Sequence, residues 1–268
     1  MNRSEIFLVM VSGMGTIAGS VMGTYIGMLG GTDPAAKVLF ATHLLSASVM
    51  AVPGSIVLAK MLCPQTEEAT DHVAISGKEK ENSNILDAIS SGTVTGVKLM
   101  TNIAAMLLVF ISLVALANYI TEGVIGRYTG LNDWIVKITD GKAQGLTFQF
   151  ILGVITSPFM WLIGVPSQDI MLVGSLLGQK TILNEFVAYF QLQQWKDAGL
   201  FMYEKSILMS TYILCGFANI SSIGILLGGL GVLAPEKRGL ISRIGVPAMI
   251  GGALVSVLSA TIIGMILG

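Results

Sequence analysis

The feature that most constrains this chain is a set of apolar runs, each about as long as a bilayer is thick. A hydrocarbon core of ~30 Å takes about 20 mostly apolar residues of helix. Residues about 5–29, 38–62, 97–120 and 244–267 each supply that length. A fifth run, residues about 206–233, is long enough but is interrupted at its centre by Cys215-Gly216-Phe217-Ala218-Asn219-Ile220-Ser221-Ser222. Composition points the same way, because 53% hydrophobic and 12% charged residues leave too little polar surface for a water-soluble fold. The expected fold class is an all-α integral membrane protein: multiple transmembrane helices, a re-entrant helical hairpin and a discontinuous helix. At the N-terminus Arg3 is offset by Glu5 and no small-residue cleavage pattern follows, so the first run is expected to stay as a mature helix.

Residues about 146–195 break the rhythm. Two apolar stretches of intermediate length flank Gly164-Val165-Pro166-Ser167, and neither is a comfortable span. A re-entrant hairpin fits, since non-helical backbone is tolerated at membrane depth where protein or a water-filled cavity covers it. A tight turn at the membrane surface fits as well. The polar segments, residues 63–84 and 121–145, read as solvated loops, and residues 84–96 read as a weakly amphipathic stretch along the interface.

The first run carries Gly15, Gly19, Gly23 and Gly27 at a spacing of four, a small-residue ridge on which another backbone can pack closely. Thr16, Ser20 and Thr24 repeat beside it. Those hydroxyls either bond their own helix backbone or face a substrate or ion.

An ionisable side chain inside an apolar region costs at least a few kcal/mol and points to function. Glu185, within Asn184-Glu185-Phe186-Val187-Ala188-Tyr189, is the strongest case. On a continuous helix Lys180 would lie about 140° round the axis from it, a poor direct partner. Its carboxylate needs hydroxyl, amide or cation partners from elsewhere, or a structural salt bridge to a residue such as Arg127 or Lys142. Asn219 and Ser222, three apart, would share a helical face and present an amide and a hydroxyl suited to sugar hydroxyls. Phe217 offers a ring face that stacks on a ligand ring or faces lipid.

Other chemistries find little support. The net charge of −1 and the lack of like-charge runs give no face for a nucleic-acid backbone. Cys63 and Cys215 match no zinc, thioredoxin or disulfide spacing and read as small buried hydrophobes. His43 lies in an apolar run with no nucleophile motif beside it, and His72 lies in a polar loop. His43 is expected to hydrogen-bond between helices rather than to relay protons. No hydrolase, metalloprotease or phosphate-loop motif is present, so no enzyme is expected.

The stretch Gly178 to Tyr189 fits the pattern G-x-K-x-x-x-N-E-F-V-A-Y without a mismatch, and resembles the concentrative nucleoside transporters. Three more blocks are similar to that family: Thr42-His43-Leu44-Leu45-Ser46-Ala47-Ser48-Val49-Met50, Cys215-Gly216-Phe217-Ala218-Asn219-Ile220-Ser221-Ser222-Ile223-Gly224, and Ala234-Pro235-Glu236-Lys237-Arg238. The resemblance runs through essentially the whole chain. It implies a homotrimeric symporter of the cytoplasmic (inner) membrane that moves nucleosides with a Na⁺ or H⁺ gradient by an elevator-like movement, with no cofactor. It also implies that Glu185, Asn219 and Ser222 bind the ribose, that Phe217 and Val21 lie by the nucleobase, and that Thr16 and Ile17 supply oxygens to Na⁺.

Family members carry further helices upstream and a first re-entrant hairpin with a G-Q-S/T-E-x-P motif, neither of which is in these 268 residues. The sequence therefore reads as the C-terminal portion of a transporter: a truncated frame, a fragment, or one half of a split pair whose partner chain supplies the rest. The alternative is a non-transporting membrane subunit that assembles with another transporter chain.

Overall fold

The computed structural model describes residues 1–66, 84–139, 141 and 143–268. Among them every regular element is helical. The helices are α1 (Arg3–Gly15), α2 (Gly19–Gly30), α3 (Pro34–Leu62), α4 (Ile85–Asn118), α5 (Arg127–Thr129), α6 (Leu131–Ile138), α7 (Phe148–Leu162), α8 (Ile170–Ile182), α9 (Glu185–Asp197), α10 (Glu204–Leu214), α11 (Ile220–Leu233) and α12 (Arg238–Ile266). Two compact units result, residues 1–68 with 149–268, and residues 69–148.

Helix starts follow local chemistry. Asn2 and Glu5 form a reciprocal capping box on α1, Asp33 caps α3 ahead of Pro34, and Asn184 and Asn219 cap α9 and α11. Three segments among the described residues are long and apolar enough to cross a membrane: Arg3–Gly30, Pro34–Leu62 and Pro235–Ile266. The outward face of α3 is mostly apolar. Val38, Leu45, Val49, Val52 and Val57 of α3 are all exposed, which suits lipid as the surrounding solvent.

The first unit is built on small residues of α12. A Cβ added at Gly252 would lie 2.7 Å from Met14 Cβ and 3.2 Å from Gly15 N, so α1 and α12 touch almost backbone to backbone. Met10, Val11 and Met14 of α1 are fully buried along that contact, with Ala248 and Val255 of α12 in the same cluster.

Three expectations need correction. The run at residues 5–29 is not one helix, because the backbone is extended at Thr16 (φ −108°, ψ 166°) and Ala18 (φ −72°, ψ 137°). β-Branched Thr16 and Ile17 between Gly15 and Gly19 make that break inexpensive. The break also splits the glycine ridge: Gly15 packs against Val255, whereas a Cβ at Gly19, Gly23 or Gly27 would meet nothing within 4 Å among the described residues.

The second correction concerns residues 84–96, which are not a separate interfacial stretch. They open the 34-residue α4.

Third, residues 121–145 are not simply a loop. They continue α4 as a π-helical segment, Tyr119–Gly126, followed by α5 and α6. The Asn132 side chain explains this: its amide donates to Glu122 O (3.0 Å) and accepts from Leu146 N (3.0 Å), in space left by Gly126 and Gly145. A polar side chain that completes backbone pairing reads, in a composition profile, as solvated loop. His72 and Lys142 lie outside the described residues.

Candidate functional site

The site grows from two interruptions in helices. In the G-x-K-x-x-x-N-E segment the chain leaves α8 at Leu183 (φ −94°, ψ −93°), extends through Asn184 and re-enters helix at Glu185. Asn184 Oδ1 accepts from Val187 N (2.9 Å), so the cap fixes Glu185 as the first residue of α9. In the second interruption α10 ends at Leu214, and Asn219 (φ −141°, ψ 168°) starts α11. Asn219 thus stands outside the helix, not on a helical face with Ser222 as its spacing suggested. The two residues meet through the cap: Asn219 Oδ1 accepts from Ser222 N (2.9 Å), Ser222 Oγ (3.0 Å) and Ser221 Oγ (2.6 Å).

That triple acceptance fixes the amide orientation and turns its nitrogen outward. Asn219 Nδ2 donates to Glu185 Oε2 at 2.9 Å, and Tyr25 OH on α2 lies 3.5 Å from Glu185 Oε1. Glu185 is only 6% exposed. A carboxylate offers about four acceptor sites; Asn219, Tyr25 and the residue's own backbone N–H occupy three, which leaves room for a further donor of sugar-hydroxyl type.

Within its own unit no described cation lies at ion-pair distance from Glu185. Lys180, fully buried, turns to Ile213 O (2.8 Å) and Ser256 Oγ (3.0 Å). Arg127 belongs to the other unit.

The remaining nominated residues gather on one apolar cluster. Ile17 is buried in it, and Val21 and Phe217 pack against it half-buried, together with Tyr25, Tyr189 and Tyr212. Thr16 is half-buried and donates to Ser12 O at 2.9 Å. Ser20 and Thr24 are exposed. His43 Nδ1 lies 3.1 Å from Tyr212 OH, with the rings edge to face, an interhelical contact between α3 and α10.

The two backbone breaks meet at a glycine. Gly216 has φ +118°, and a Cβ there would lie 2.8 Å from Gly15 O and 2.9 Å from Met14 O. The end of α1 therefore sits directly on the 215–219 segment, which links the Thr16–Ala18 turn to the Asn219 cap.

Sequence reasoning missed four participants. Tyr25 reaches the carboxylate and stacks on Tyr189 with centroids 4.0 Å apart. Tyr189 OH donates to Thr211 O at 2.8 Å, and Ser256 Oγ donates to Cys215 O. Asp169, fully buried, accepts from Met202 N and Tyr203 N and so ties the turn after α7 to the start of α10. The available signal was the same for Tyr25 and Ser256: a lone polar side chain in an apolar, glycine-rich run.

A family profile described as "Na+ dependent nucleoside transporter C-terminus" matches residues 43–264. Sodium/nucleoside cotransporter 1 of Rattus norvegicus is 38% identical over 280 residues, covering 99% of this chain and 40% of the relative. Nucleoside permease NupC of Helicobacter pylori is 36% identical over 270 residues, covering 100% of this chain and 59% of the relative.

Among solved structures, CNTnw in an inward-facing substrate-bound state is 36% identical with a TM-score of 0.80, covering 99% of this chain and 57% of that one. A variant of the same protein in an outward-facing state gives a TM-score of 0.84, covering 100% and 58%. The chain thus spans from 40% to about 60% of the length of these relatives, and they are transporters, not enzymes. With its fold and its sequence matched along nearly their whole length, the chain belongs to the Na⁺-dependent nucleoside transporter family and corresponds to that family's C-terminal portion.

Proposed function

We propose that this chain supplies the ribose-reading part of a nucleoside symporter of the cytoplasmic membrane, driven by Na⁺ or H⁺. The observation that carries the reading is the buried Glu185 carboxylate, held by the Asn219 amide at the start of one half-helix and left with free acceptor capacity. A nucleoside offers vicinal hydroxyls that satisfy such a carboxylate and an apolar base that suits the cluster of Ile17, Val21 and Phe217. Broken helices with this arrangement build substrate and ion sites in secondary transporters. Thr16 and Ile17, in the extended turn, are the proposed cation ligands, and a homotrimer is the proposed assembly.

The relatives' further length is proposed to complete the pocket, whether carried on this polypeptide or on a partner chain. These 268 residues reconstituted alone in liposomes are then expected to give no uridine uptake above background. Co-reconstitution with the N-terminal portion of a relative is expected to restore it. Uptake by the 268 residues alone would refute this division of the site. Failure of uptake and of uridine binding in the completed assembly would favour the non-transporting subunit.

Orientation follows from charge. The turn Pro235–Lys237 and the first residues of α12 expose Lys237, Arg238 and Arg243 against one acidic residue, Glu236, which supports a cytoplasmic position for this end. In a Cys63→Ala background, Gly239→Cys is expected to stay unlabelled by an impermeant thiol reagent in intact cells and to label after permeabilisation. Labelling from outside would reverse the topology.

A further inference from the structure

The break between α10 and α11 leaves the last carbonyls of α10 without helical partners. Three donors take up α10 carbonyls, and a fourth takes the carbonyl of Cys215 just past its end. Tyr189 OH donates to Thr211 O, Cys215 N to Tyr212 O (3.1 Å), Lys180 Nζ to Ile213 O and Ser256 Oγ to Cys215 O. Lys180 Nζ also donates to Ser256 Oγ, so the ammonium and the hydroxyl form one bridge from α8 and α12 onto the end of α10. The ammonium is fully buried. A cation at a helix C-terminus is favoured by the dipole, and a carboxylate is favoured at a helix N-terminus. The break has both: Lys180 at the end of α10 and, through Asn219, Glu185 at the start of α11.

We propose that Lys180 is a positioning residue for the Glu185 site, a resident cation that fixes the end of α10 and balances the Glu185 charge across the break without touching it. Removing the ammonium leaves a buried carboxylate uncompensated, which costs more than the loss of one hydrogen bond to Ile213 O. Glu185 is the other half of that balance, so neutralising it relieves part of the cost. A role limited to hydrogen bonding at Ile213 O has no such relief, because that carbonyl stays unpaired whatever stands at position 185.

The consequence for transport rests on the proposed role of Glu185, but the test needs no nucleoside. Thermal unfolding of the purified full chain in detergent is measured for wild type, Lys180→Met, Glu185→Gln and the double variant. Lys180→Met is expected to lower the midpoint by about 6–20 °C, and the double variant to regain at least half of that loss. A double variant as low as the sum of the singles overturns the proposal.

Should Lys180→Met yield no folded protein, recovery of folded protein in the double variant supports the proposal and its absence overturns it. Ser256→Ala removes a hydroxyl of the same bridge and no charge, so with Glu185→Gln it is expected to be additive. Coupling there as large as for Lys180→Met would assign the effect to hydrogen bonding and overturn the charge role. An additive cycle overturns this inference alone, whereas a completed assembly that binds no nucleoside overturns the proposed function while the cycle still reports.

Discussion

Replacing Gly216 by alanine is expected to lower the unfolding midpoint of the detergent-solubilised chain by about 4–24 °C. Two costs combine. At φ +118° an L side chain is strained, at about 1–3 kcal/mol. The new Cβ would also lie 2.8 Å from Gly15 O and 2.9 Å from Met14 O, where backbone rather than a flexible side chain must give way. Overpacking of that kind costs about 1–3 kcal/mol more, and about 2–4 °C accompanies each kcal/mol at this chain length. Gly23→Ala is the matched control, since its Cβ would meet nothing within 4 Å among the described residues and it lies inside α2. A Gly216→Ala midpoint equal to that of Gly23→Ala would show that the two breaks do not bear on each other. The expected loss extends to ligand binding, because Gly216 stands three residues before Asn219.

The contrast between those two glycines shows what the sequence could and could not disclose. The interruption at residues 215–222 was legible because it mixes Gly216, Asn219 and two serines into an apolar run, a visible change of chemistry. The interruption at Thr16–Ala18 was not, because Gly15, Thr16, Ile17, Ala18 and Gly19 are small or apolar and a hydropathy profile passes through them unchanged. The glycine spacing of four even argued for continuity.

Lys180 illustrates a different failure. Measured round one helix it pointed away from Glu185, but the helix ends at Leu183, and the ammonium's destination on α10 and α12 lies 33 and 76 residues further along the chain. Long-range partners of that kind leave no local periodicity to read. Glu185 and Asn219 were legible on chemistry as well as by resemblance, because a charge and an amide in apolar surroundings must find partners. The fold makes them partners of each other. Asn132 reversed the same logic, since its polarity suggested water where the structure uses it on backbone groups.

Glu185→Gln, made in an assembly that binds nucleoside, is expected to weaken binding by tenfold to a hundredfold. A hydrogen bond to a charged acceptor contributes about 1.5–3 kcal/mol, and 1.4 kcal/mol is tenfold in Kd. The substitution is well matched to the site. Glutamine keeps the volume, its carbonyl can accept from Asn219 Nδ2 as the carboxylate does at 2.9 Å, and its amide can donate to the Tyr25 hydroxyl. The local network therefore survives, and the loss reports the charge presented to the ligand.

A ligand change completes the cycle. If the carboxylate accepts from the ribose 3′-hydroxyl, 3′-deoxyuridine binds wild type poorly and loses far less on Glu185→Gln than uridine does. A purely structural role predicts a different pattern: equal proportional losses for the two ligands, whatever the change in stability. Titrating both nucleosides against both proteins, with unfolding midpoints measured alongside, separates the two. Strictly additive losses would exclude a direct contact between Glu185 and the 3′-hydroxyl.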